Sequence, residues 1–488
     1  MKRKLFITGI GLIIFIAILL IRTSQFTSSH IDVPPVIRLP VNKEQVANRL
    51  AIALKFKTVS HQDLTIFDGV SFLSFHRYLE DVFPKVHATL KKETINHYSL
   101  LYTWEGREEK RKPILLMAHQ DVVPVIQETE KSWTYLPFEG KISEGYIWGR
   151  GALDMKFSLM GILEAIEALL ENEFKPKRTI FLAFGHDEEM GGINGAKKIA
   201  EILTSRNIRF EYVLDEGGLV VKDVIPGVSN PVALVGIAEK GHVSLELTAK
   251  TDGGHSSMPP KHTAVGILSK AIVSLEENPF PTNMTYAEKL FEHVGPQMPY
   301  FRKIIFANMW LFNPLVKRIL SKSPETDATI RTTTAATMFH GGEKENVLPI
   351  QAKAVINFRI MPGENVESVV NHVQRTIDAA NIQIRPLPLR FEPSPVSDVH
   401  SKSYEIIRKT IHQIITENKL IVAPHLVVGG TDSRYFTVLS DNVYRFLPIV
   451  FRPEDIKRIH GTNERISIEN YVQAVKFYYH LIRNSEEL

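Results

Sequence analysis

Residues 113–121 read PILLMAHQD, and this stretch decides the fold class. A run of five apolar residues, 114–118, has the length of a strand, and His119 and Asp121 follow it directly. Such an uninterrupted run is typical of a strand covered on both faces. Further strand-like runs and amphipathic helical patterns lie at 178–184, 211–214, 44–56 and 158–170. Strands that alternate with helices predict an α/β fold with a mostly parallel sheet flanked by helices.

Length and composition narrow the class of protein. A chain of 488 residues usually forms more than one domain. Its 44% hydrophobic and 23% charged residues are typical of a globular protein. A net charge of +4 without a long basic run predicts no nucleic-acid partner. The absence of cysteine excludes disulfides and thiolate metal ligands.

The N-terminus predicts contact with a membrane. Basic residues 2–4 precede an apolar run at 5–21 that Arg22 closes. The run is near the lower limit of the roughly 17 to 25 residues that cross a bilayer. No small-x-small cleavage site follows it, which favours an uncleaved anchor with the folded body outside the cytoplasm. The alternative is a cleaved signal and a secreted protein.

The histidine and the acid that follow the first apolar run form a candidate ligand pair. His119 and Asp121 are two residues apart, so on extended backbone their side chains point to the same side. Asp121 is then placed to orient the imidazole of a metal-bound His119. Taken alone, the pair is more often a structural histidine beside a solvated acid.

Two glycine-bearing turns carry further carboxylates. Asp154 lies in WGRGALDMK, residues 148–156, where it either bridges two cations or caps the next helix. Glu188 and Glu189 lie in GHDEEMGG, residues 185–192, where adjacent acids repel one another unless cations compensate. One glutamate can bind metal while the other acts as a base, and the alternative is a solvated acidic turn.

Asp215 in LDEGG (214–218) and His460 in IHGTNE (459–464) complete the set. Either residue alone is unremarkable. Together, the candidate residues supply imidazole and carboxylate ligands that zinc accepts, mostly on loops after strands, where α/β sheets collect their ligands. The combination predicts a metal-dependent hydrolase with two metal ions.

These segments, with 117–124 and 254–259, resemble the aminoacylase/carboxypeptidase S family of cocatalytic di-zinc peptidases. The resemblance covers nearly the whole chain beyond the N-terminal 42 residues. KRIL (317–320) and ENVLP (345–349) resemble most the branch of carboxypeptidase S and the N-fatty-acyl-amino-acid synthase/hydrolase.

The resemblance implies a role for each residue of the candidate centre. Terminal zinc ligands would be His119, Glu189, Asp215 and His460. Asp154 would bridge the ions, Glu188 would be the base, and Asp121 would orient His119. Asp215 would share one ion with His119, and Glu189 the other with His460. Cobalt or manganese could replace zinc, and the peptide bond after Asp154 is expected to be cis.

Alternating segments at 243–249 and 352–360 predict half-exposed strands of an inserted α+β domain. By the resemblance this is a lid, and His255 stabilises the oxyanion, in some relatives from a dimer partner. A homodimer through the lid is therefore one expectation, and a surface turn is the plain alternative for His255. The predicted division is an anchor or signal (1–22), a stalk with Pro34, Pro35 and Pro40 (23–42), the first catalytic part (43–236), the lid (237–387) and the second catalytic part (388–488).

Candidate substrate-binding residues are Asn346, Arg359, Gly429, Gly430 and Thr431. Arginine suits a carboxylate because its planar group bonds bidentately, although Arg359 could be an ordinary solvated residue. The predicted reaction is hydrolysis of an amide next to a free carboxylate, in a peptide or an N-acyl amino acid, including reversible N-fatty-acyl chemistry. Apolar residues 301–320 would line an acyl channel or belong to the core. Alternatives are a membrane-tethered binding protein without catalysis and an aminopeptidase.

Overall fold

The structure is a computed structural model, and it describes residues 2–28, 33, 36, 39–61, 63–377, 379–415, 417 and 419–488. The helices are α1 (Lys2–Gln25), α2 (Lys43–Ala53), α3 (Gly69–Val82), α4 (Pro84–Thr89), α5 (Lys156–Glu171), α6 (Ala196–Ser205), α7 (Ala264–Glu277), α8 (Thr285–Val294), α9 (Tyr300–Ala307), α10 (Met309–Leu320), α11 (Pro324–Asp327), α12 (Val366–Thr376), α13 (Lys402–Ile414) and α14 (Ile468–Asn484). The strands are β1 (Lys91–Ile95), β2 (Ser99–Trp104), β3 (Ile114–His119), β4 (Lys141–Ser143), β5 (Tyr146–Trp148), β6 (Ile180–Gly185), β7 (Tyr212–Asp215), β8 (Val220–Val221), β9 (Val232–Glu239), β10 (Gly241–Lys250), β11 (Gly254–His255), β12 (Thr333–His340), β13 (Val347–Leu348), β14 (Gln351–Ile360), β15 (Ile382–Phe391), β16 (Ile421–Val427), β17 (Val443–Arg445), β18 (Val450–Phe451) and β19 (Arg465–Ser467).

A ten-stranded mixed sheet organises the larger part of the chain. Its order is β1-β2-β6-β3-β7-β17-β9-β8-β18, and β16 pairs with β9. The strands β6, β3, β7 and β17 at its centre are parallel, whereas β1 and β2 pair antiparallel at one edge. The α/β class is therefore confirmed, and the parallel centre brings the ends of β3, β6 and β7 to one edge of the sheet.

Successive residues of the central strands supply two different cores. Leu115 and Met117 of β3 pack with residues of α6 on one face of the sheet. Leu116 belongs to the larger core, which α5 and α14 cover on the other face. All six residues of β3 are buried. Burial on both faces explains why the strand reads as an uninterrupted apolar run rather than an alternating one.

A second, four-stranded antiparallel sheet has the order β12-β14-β10-β15. Buried and partly exposed residues alternate along β10 and β14, as the sequence pattern predicts, and Val243 pairs with Phe358. The helices α7 and α12 cover the buried face. This sheet spans 241–391, while β9 belongs to the large sheet and α8 packs on β16. The exact boundaries of the lid remain a prediction.

The N-terminal helix α1 is longer than the predicted segment 1–22 and ends at Gln25. Within it, Phe6–Gln25 is long and apolar enough to cross a membrane, a property that a signal sequence shares. Thr23 to Gln25 are helical rather than part of an extended stalk. Pro34 and Pro35 of the predicted stalk lie outside the described residues, and Pro40 lies in a non-helical segment before α2.

Candidate metal centre

The first side chains of the candidate centre lie at the end of β3. His119 is the last residue of this strand, and its side chain is buried. Its Nδ1 lies 2.9 Å from the backbone oxygen of Asp121 and 3.3 Å from the Oδ1 of that residue. Acceptors at Nδ1 favour the tautomer that carries its proton there, which leaves Nε2 to bind a cation. The structure thus brings His119 and Asp121 together.

Asp154 lies between two imidazoles. Its Oδ1 is 2.9 Å from Nε2 of His119, and its Oδ2 is 2.9 Å from Nε2 of His460. The preceding turn needs a glycine, because Gly151 has a φ of +87° and a Cβ there would lie 2.8 Å from a side-chain carbon of Val122. The peptide bond after Asp154 is cis. A carboxylate that directs one oxygen to each imidazole is well placed to bridge two cations.

The glutamate pair lies on a short 3-10 turn, Glu188–Met190, after β6. The backbone N–H groups of Glu188 and Glu189 donate to the two carboxylate oxygens of Asp121, each at 3.1 Å. The Asp121 carboxylate therefore positions the glutamate turn as well as His119. The Oε1 of Glu189 lies 3.2 Å from Nε2 of His460.

At the end of β7 the structure differs from the predicted ligand set. The Oε1 of Glu216 lies 3.5 Å from Nε2 of His119. Asp215 is buried instead, and its Oδ2 accepts a hydrogen bond of 2.9 Å from the backbone N–H of Ser433. Consecutive side chains at a strand end point in different directions, so only one of the two acids can face His119. The acid that faces it is Glu216, not Asp215.

Two groups of side chains come close enough to hold cations. Among the described residues, ligand atoms lie within 4.8 Å of one another in the groups His119, Asp154, Glu189 and His119, Glu188, Glu216. Imidazole nitrogen and carboxylate oxygen are ligands that zinc and related divalent ions accept. Glu189 contacts His460, Glu216 contacts His119, and Asp154 contacts both histidines. This donor set fits two cations with Asp154 between them.

The charges of these side chains also fit cations. Burial and the nearby charge of Asp154 raise the pKa of Glu216 to about 8. Burial and the charge of Glu216 raise the pKa of Glu188 well above its usual value. Hydrogen bonds with Asp154 and Glu189 raise the pKa of His460 to about 10. Crowded carboxylates repel one another, and divalent cations would offset this repulsion.

A buried ion pair fastens the turn of Asp154 to the loop of His460. The Oε2 of Glu464 accepts a hydrogen bond of 2.6 Å from Nη1 of Arg150. Its Oε1 accepts from the backbone N–H groups of Leu153 and Asp154 at 2.7 and 3.2 Å, and Nη2 of Arg150 donates to the backbone oxygen of His460 at 3.2 Å. Glu464 was not predicted as a functional residue, because an acid four residues after a histidine carries no signal in the sequence. Only the structure shows that its side chain is buried.

A cavity of about 400 Å³ opens beside the candidate centre. Four of the predicted substrate-binding residues line it, namely Arg359, Gly429, Gly430 and Thr431. Its further lining includes Arg434, His242, Leu389, Phe391 and Val427, which were not predicted. Residues 301–320, all of them described, do not line this cavity. The apolar segment considered for an acyl channel is therefore not part of it.

Two guanidinium groups line the same cavity. Arg359 lies on β14 and has no ion-pair partner among the described residues, and burial followed by the charge of Arg434 lowers its pKa. Arg434 lies over the ring of Phe391, 4.4 Å from the ring centroid, and donates to the backbone oxygen of Gly191 at 2.8 Å. A free carboxylate on a ligand would offset this positive charge and would accept bidentate hydrogen bonds.

The two remaining predicted site residues, His255 and Asn346, do not line the cavity. His255 belongs to β11 and Asn346 precedes β13, and these two strands pair. The backbone N–H of Ser256 donates to the backbone oxygen of Asn346 at 3.2 Å. Both His255 and Asn346 are exposed. The structure brings them together with each other but does not place them beside Asp154.

A mixed α/β sheet whose strand-end loops gather carboxylates and histidines beside a cavity defines the class of metallohydrolases. The sequence pattern of Peptidase family M20/M25/M40 matches residues 115–484. The chain belongs to this family of metallopeptidases, which confirms the predicted family and the predicted hydrolase class.

Individual relatives cover most of the chain. It is 44% identical to a Dictyostelium discoideum protein described as "Probable carboxypeptidase S-like 2", over 91% of this chain and 85% of that protein. It is 41% identical to the N-fatty-acyl-amino acid synthase/hydrolase PM20D1 of Xenopus tropicalis, over 98% and 94% of the two chains. A similar fold is found in the M20 family metallo-carboxypeptidase Sso-CP2 from Sulfolobus solfataricus, with a TM-score of 0.64, 19% identity and coverage of 92% and 100%.

Proposed function

We propose that the chain hydrolyses an amide bond next to a free carboxylate and that two zinc ions serve the reaction. The observation that carries this proposal is the presence of the histidine and carboxylate cluster and of two arginines in one cavity. The relatives described as carboxypeptidase S-like and as an N-fatty-acyl-amino acid synthase/hydrolase support the same substrate class. Both a peptide and an N-acyl amino acid present an amide beside a carboxylate.

The ligands divide into two pairs around a shared carboxylate. His119 and Glu216 would hold one ion, and Glu189 and His460 would hold the other. Asp154 would bridge them. The contacts of Glu216 with His119 and of Glu189 with His460 support this pairing. Zinc accepts this nitrogen and oxygen set, and cobalt or manganese would be accepted by the same donors.

The ions supply Lewis acidity and lower the pKa of a water molecule when they are bound. Glu188 accepts a proton from this water as the water oxygen attacks the amide carbonyl carbon. Glu188 then donates the same proton to the leaving nitrogen as the carbon–nitrogen bond breaks. The products are a carboxylic acid and an amine. Asp121 keeps His119 in the required tautomer and positions the turn that carries Glu188.

The cavity suits a substrate with a carboxylate and an aliphatic acyl group. Arg359 and Arg434 bind the carboxylate, and Leu389, Phe391 and Val427 offer an apolar wall to the acyl chain. The N–H and hydroxyl of Thr431 already donate to Glu239 at 2.9 and 3.0 Å. The backbone groups of Gly429 and Gly430 are therefore the parts of this loop that contact substrate.

His255 and Asn346 act in the same reaction only if another copy of the chain supplies them. Both are exposed on the β11–β13 ribbon and lie outside the cavity lining. We therefore propose a homodimer through the lid in which His255 stabilises the oxyanion of the partner's substrate. The helix α1 anchors the chain in a membrane, with the folded body on the extracytoplasmic side, unless it is removed as a signal sequence.

The proposed base is tested by a Glu188→Gln variant of the full chain. Wild-type protein is expected to hydrolyse N-oleoyl amino acids or blocked dipeptides in a chromatographic assay. The variant is expected to keep its metal, measured by mass spectrometry, but to lose turnover by roughly two to four orders of magnitude. Glu201→Gln, at an exposed ion pair with Lys198, is the matched control.

Two outcomes would contradict the proposal. Near-normal turnover of metal-replete Glu188→Gln protein would remove Glu188 as the base. A wild-type protein that carries metal but cleaves neither substrate class would remove the proposed specificity.

A further inference from the structure

The helices α9 and α10 carry an apolar surface that the folded body leaves uncovered. We call this surface the α9–α10 face, and its exposed apolar members are Tyr300, Phe301, Trp310, Leu311, Leu315 and Ile319. On α10, Leu311, Leu315 and Ile319 are spaced by four residues and so lie on successive turns of one side, whereas Val316 is buried against the body. Trp310 lies next to Leu311 at the start of the helix. Large exposed apolar patches mark surfaces that bind a partner or a membrane.

The α9–α10 face adjoins the helix that is long and apolar enough to cross a membrane. The Nε of Arg22 donates to the backbone oxygen of Ala307 at 3.4 Å, and Nδ2 of Asn308 donates to the backbone oxygen of Leu19 at 3.3 Å. The rings of Phe15 and Trp310 meet edge to face, with 6.2 Å between centroids. The start of α10 is therefore docked on the apolar part of α1, below the arginine that closes it.

The depth of this contact fits a helix that lies in a membrane surface. Arg22 and Phe15 are seven residues apart, which is about 10 Å along a helix. With Arg22 at the polar boundary, Trp310 beside Phe15 lies roughly 10 Å inside the apolar layer, and interfacial helices bury their apolar face by about 5–10 Å.

The distribution of charge along α10 also fits a helix that lies in a membrane surface. Its first half is uncharged, and the basic residues Lys317 and Arg318 lie in its last turn, with Lys322 just beyond. Arg318 and Lys322 are exposed and have no ion-pair partner among the described residues. Long basic side chains next to an inserted apolar face extend to the level of the polar headgroups.

We propose that the α9–α10 face lies in the bilayer leaflet that surrounds the Arg22 end of α1 and forms a second membrane contact of this protein. The face is fixed to the catalytic sheet, because Phe306 of α9 packs against a core that includes Val294 of α8 and Ile421 of β16. The body is then held in one orientation on the membrane, because both α1 and the α9–α10 face contact it. This inference rests on the membrane anchor proposed above and not on the proposed reaction.

Tryptophan fluorescence tests the proposal on the full chain. Of the four tryptophans, Trp104, Trp133 and Trp148 are buried, and Trp310 is 56% exposed. The protein is reconstituted into vesicles of phosphatidylcholine and phosphatidylglycerol whose acyl chains carry bromine at mid-chain, the depth inferred for Trp310. Bromine is expected to quench part of the emission, and Trp310→Phe is expected to lose this quenchable part. Absence of quenching in protein that resists carbonate extraction would overturn the proposal.

The absence of cysteine permits an independent measurement with a matched control. Leu315→Cys on the α9–α10 face and Leu73→Cys on α3 replace leucines that are 47% and 52% exposed. An environment-sensitive dye on Cys is expected to report an apolar surrounding at position 315 and water at position 73. Water at both positions, or disulfide-linked dimers through position 315 in vesicles, would overturn the proposal, since the second result assigns the face to another copy. Circular dichroism verifies that both variants fold.

Discussion

The buried pair of Arg150 and Glu464 is expected to hold the candidate metal centre together, and Glu464→Ala tests this. The substitution leaves Arg150, which is 3% exposed, without its counterion and frees the backbone N–H groups of Leu153 and Asp154. Breaking one side of a buried ion pair costs about 3–5 kcal/mol of unfolding free energy. Because the same carboxylate fastens the loop of His460, metal affinity should fall by roughly 10- to 100-fold as well.

The assay combines urea unfolding with metal titration of chelator-treated protein. The matched control is Glu469→Ala, since the Glu469 side chain is 72% exposed and its Oε1 lies 3.7 Å from Nζ of Lys43. An exposed pair of this kind contributes less than about 1 kcal/mol. If Glu464→Ala and Glu469→Ala showed the same unfolding midpoint and the same metal affinity, Glu464 would not be the residue that holds the two loops together.

Two further predictions concern the ligand set and the dependence of stability on pH. Glu216→Gln is expected to lose one of two bound metal ions, whereas Asp215→Asn should retain both, because only Glu216 faces His119. Mass spectrometry measures the metal content of both variants. Metal loss from Asp215→Asn alone would restore Asp215 as the ligand, as the sequence predicted. Burial lowers the pKa of His425 to about 4, whereas a value near 6.5 is expected in the unfolded chain. Neutral His425 therefore makes its full contribution to the free energy of unfolding above pH 6.5, and this contribution is lost as the pH falls towards 4. At pH 5 this loss is about 2 kcal/mol. His425→Gln should abolish this difference in unfolding free energy between pH 7 and pH 5, measured by urea unfolding. If the variant kept the pH dependence of the wild type, His425 would not be its cause.

Local patterns predicted much of the candidate centre. The apolar runs before His119 and Glu188 are strands β3 and β6, and the chain does turn into loops where the runs end. Alternation along 243–249 and 352–360 predicted the paired strands β10 and β14. These predictions succeeded because burial on one or both faces leaves a period in the sequence that neighbouring residues carry by themselves.

Other parts of the site depend on partners far away in the chain. The choice of Glu216 over Asp215 follows from where β7 ends and from the Ser433 N–H that occupies the Asp215 carboxylate. Arg434 enters the cavity from a short 3-10 helix, Asp432–Phe436, that no local pattern distinguishes, and it stacks on Phe391 of β15. Neither contact leaves a periodic signal.

The sequence by itself determined the α/β class, the strand ends that carry the candidate ligands and an N-terminal segment apolar enough for a membrane. Only the tertiary structure decided which of two adjacent acids faces His119, that Glu464 binds two loops together, and that the apolar residues of α9 and α10 form a surface beside α1 instead of an acyl channel. The physical reason is that hydropathy along a chain reports how much surface each residue buries, whereas the partner against which it is buried is set by contacts between residues distant in sequence.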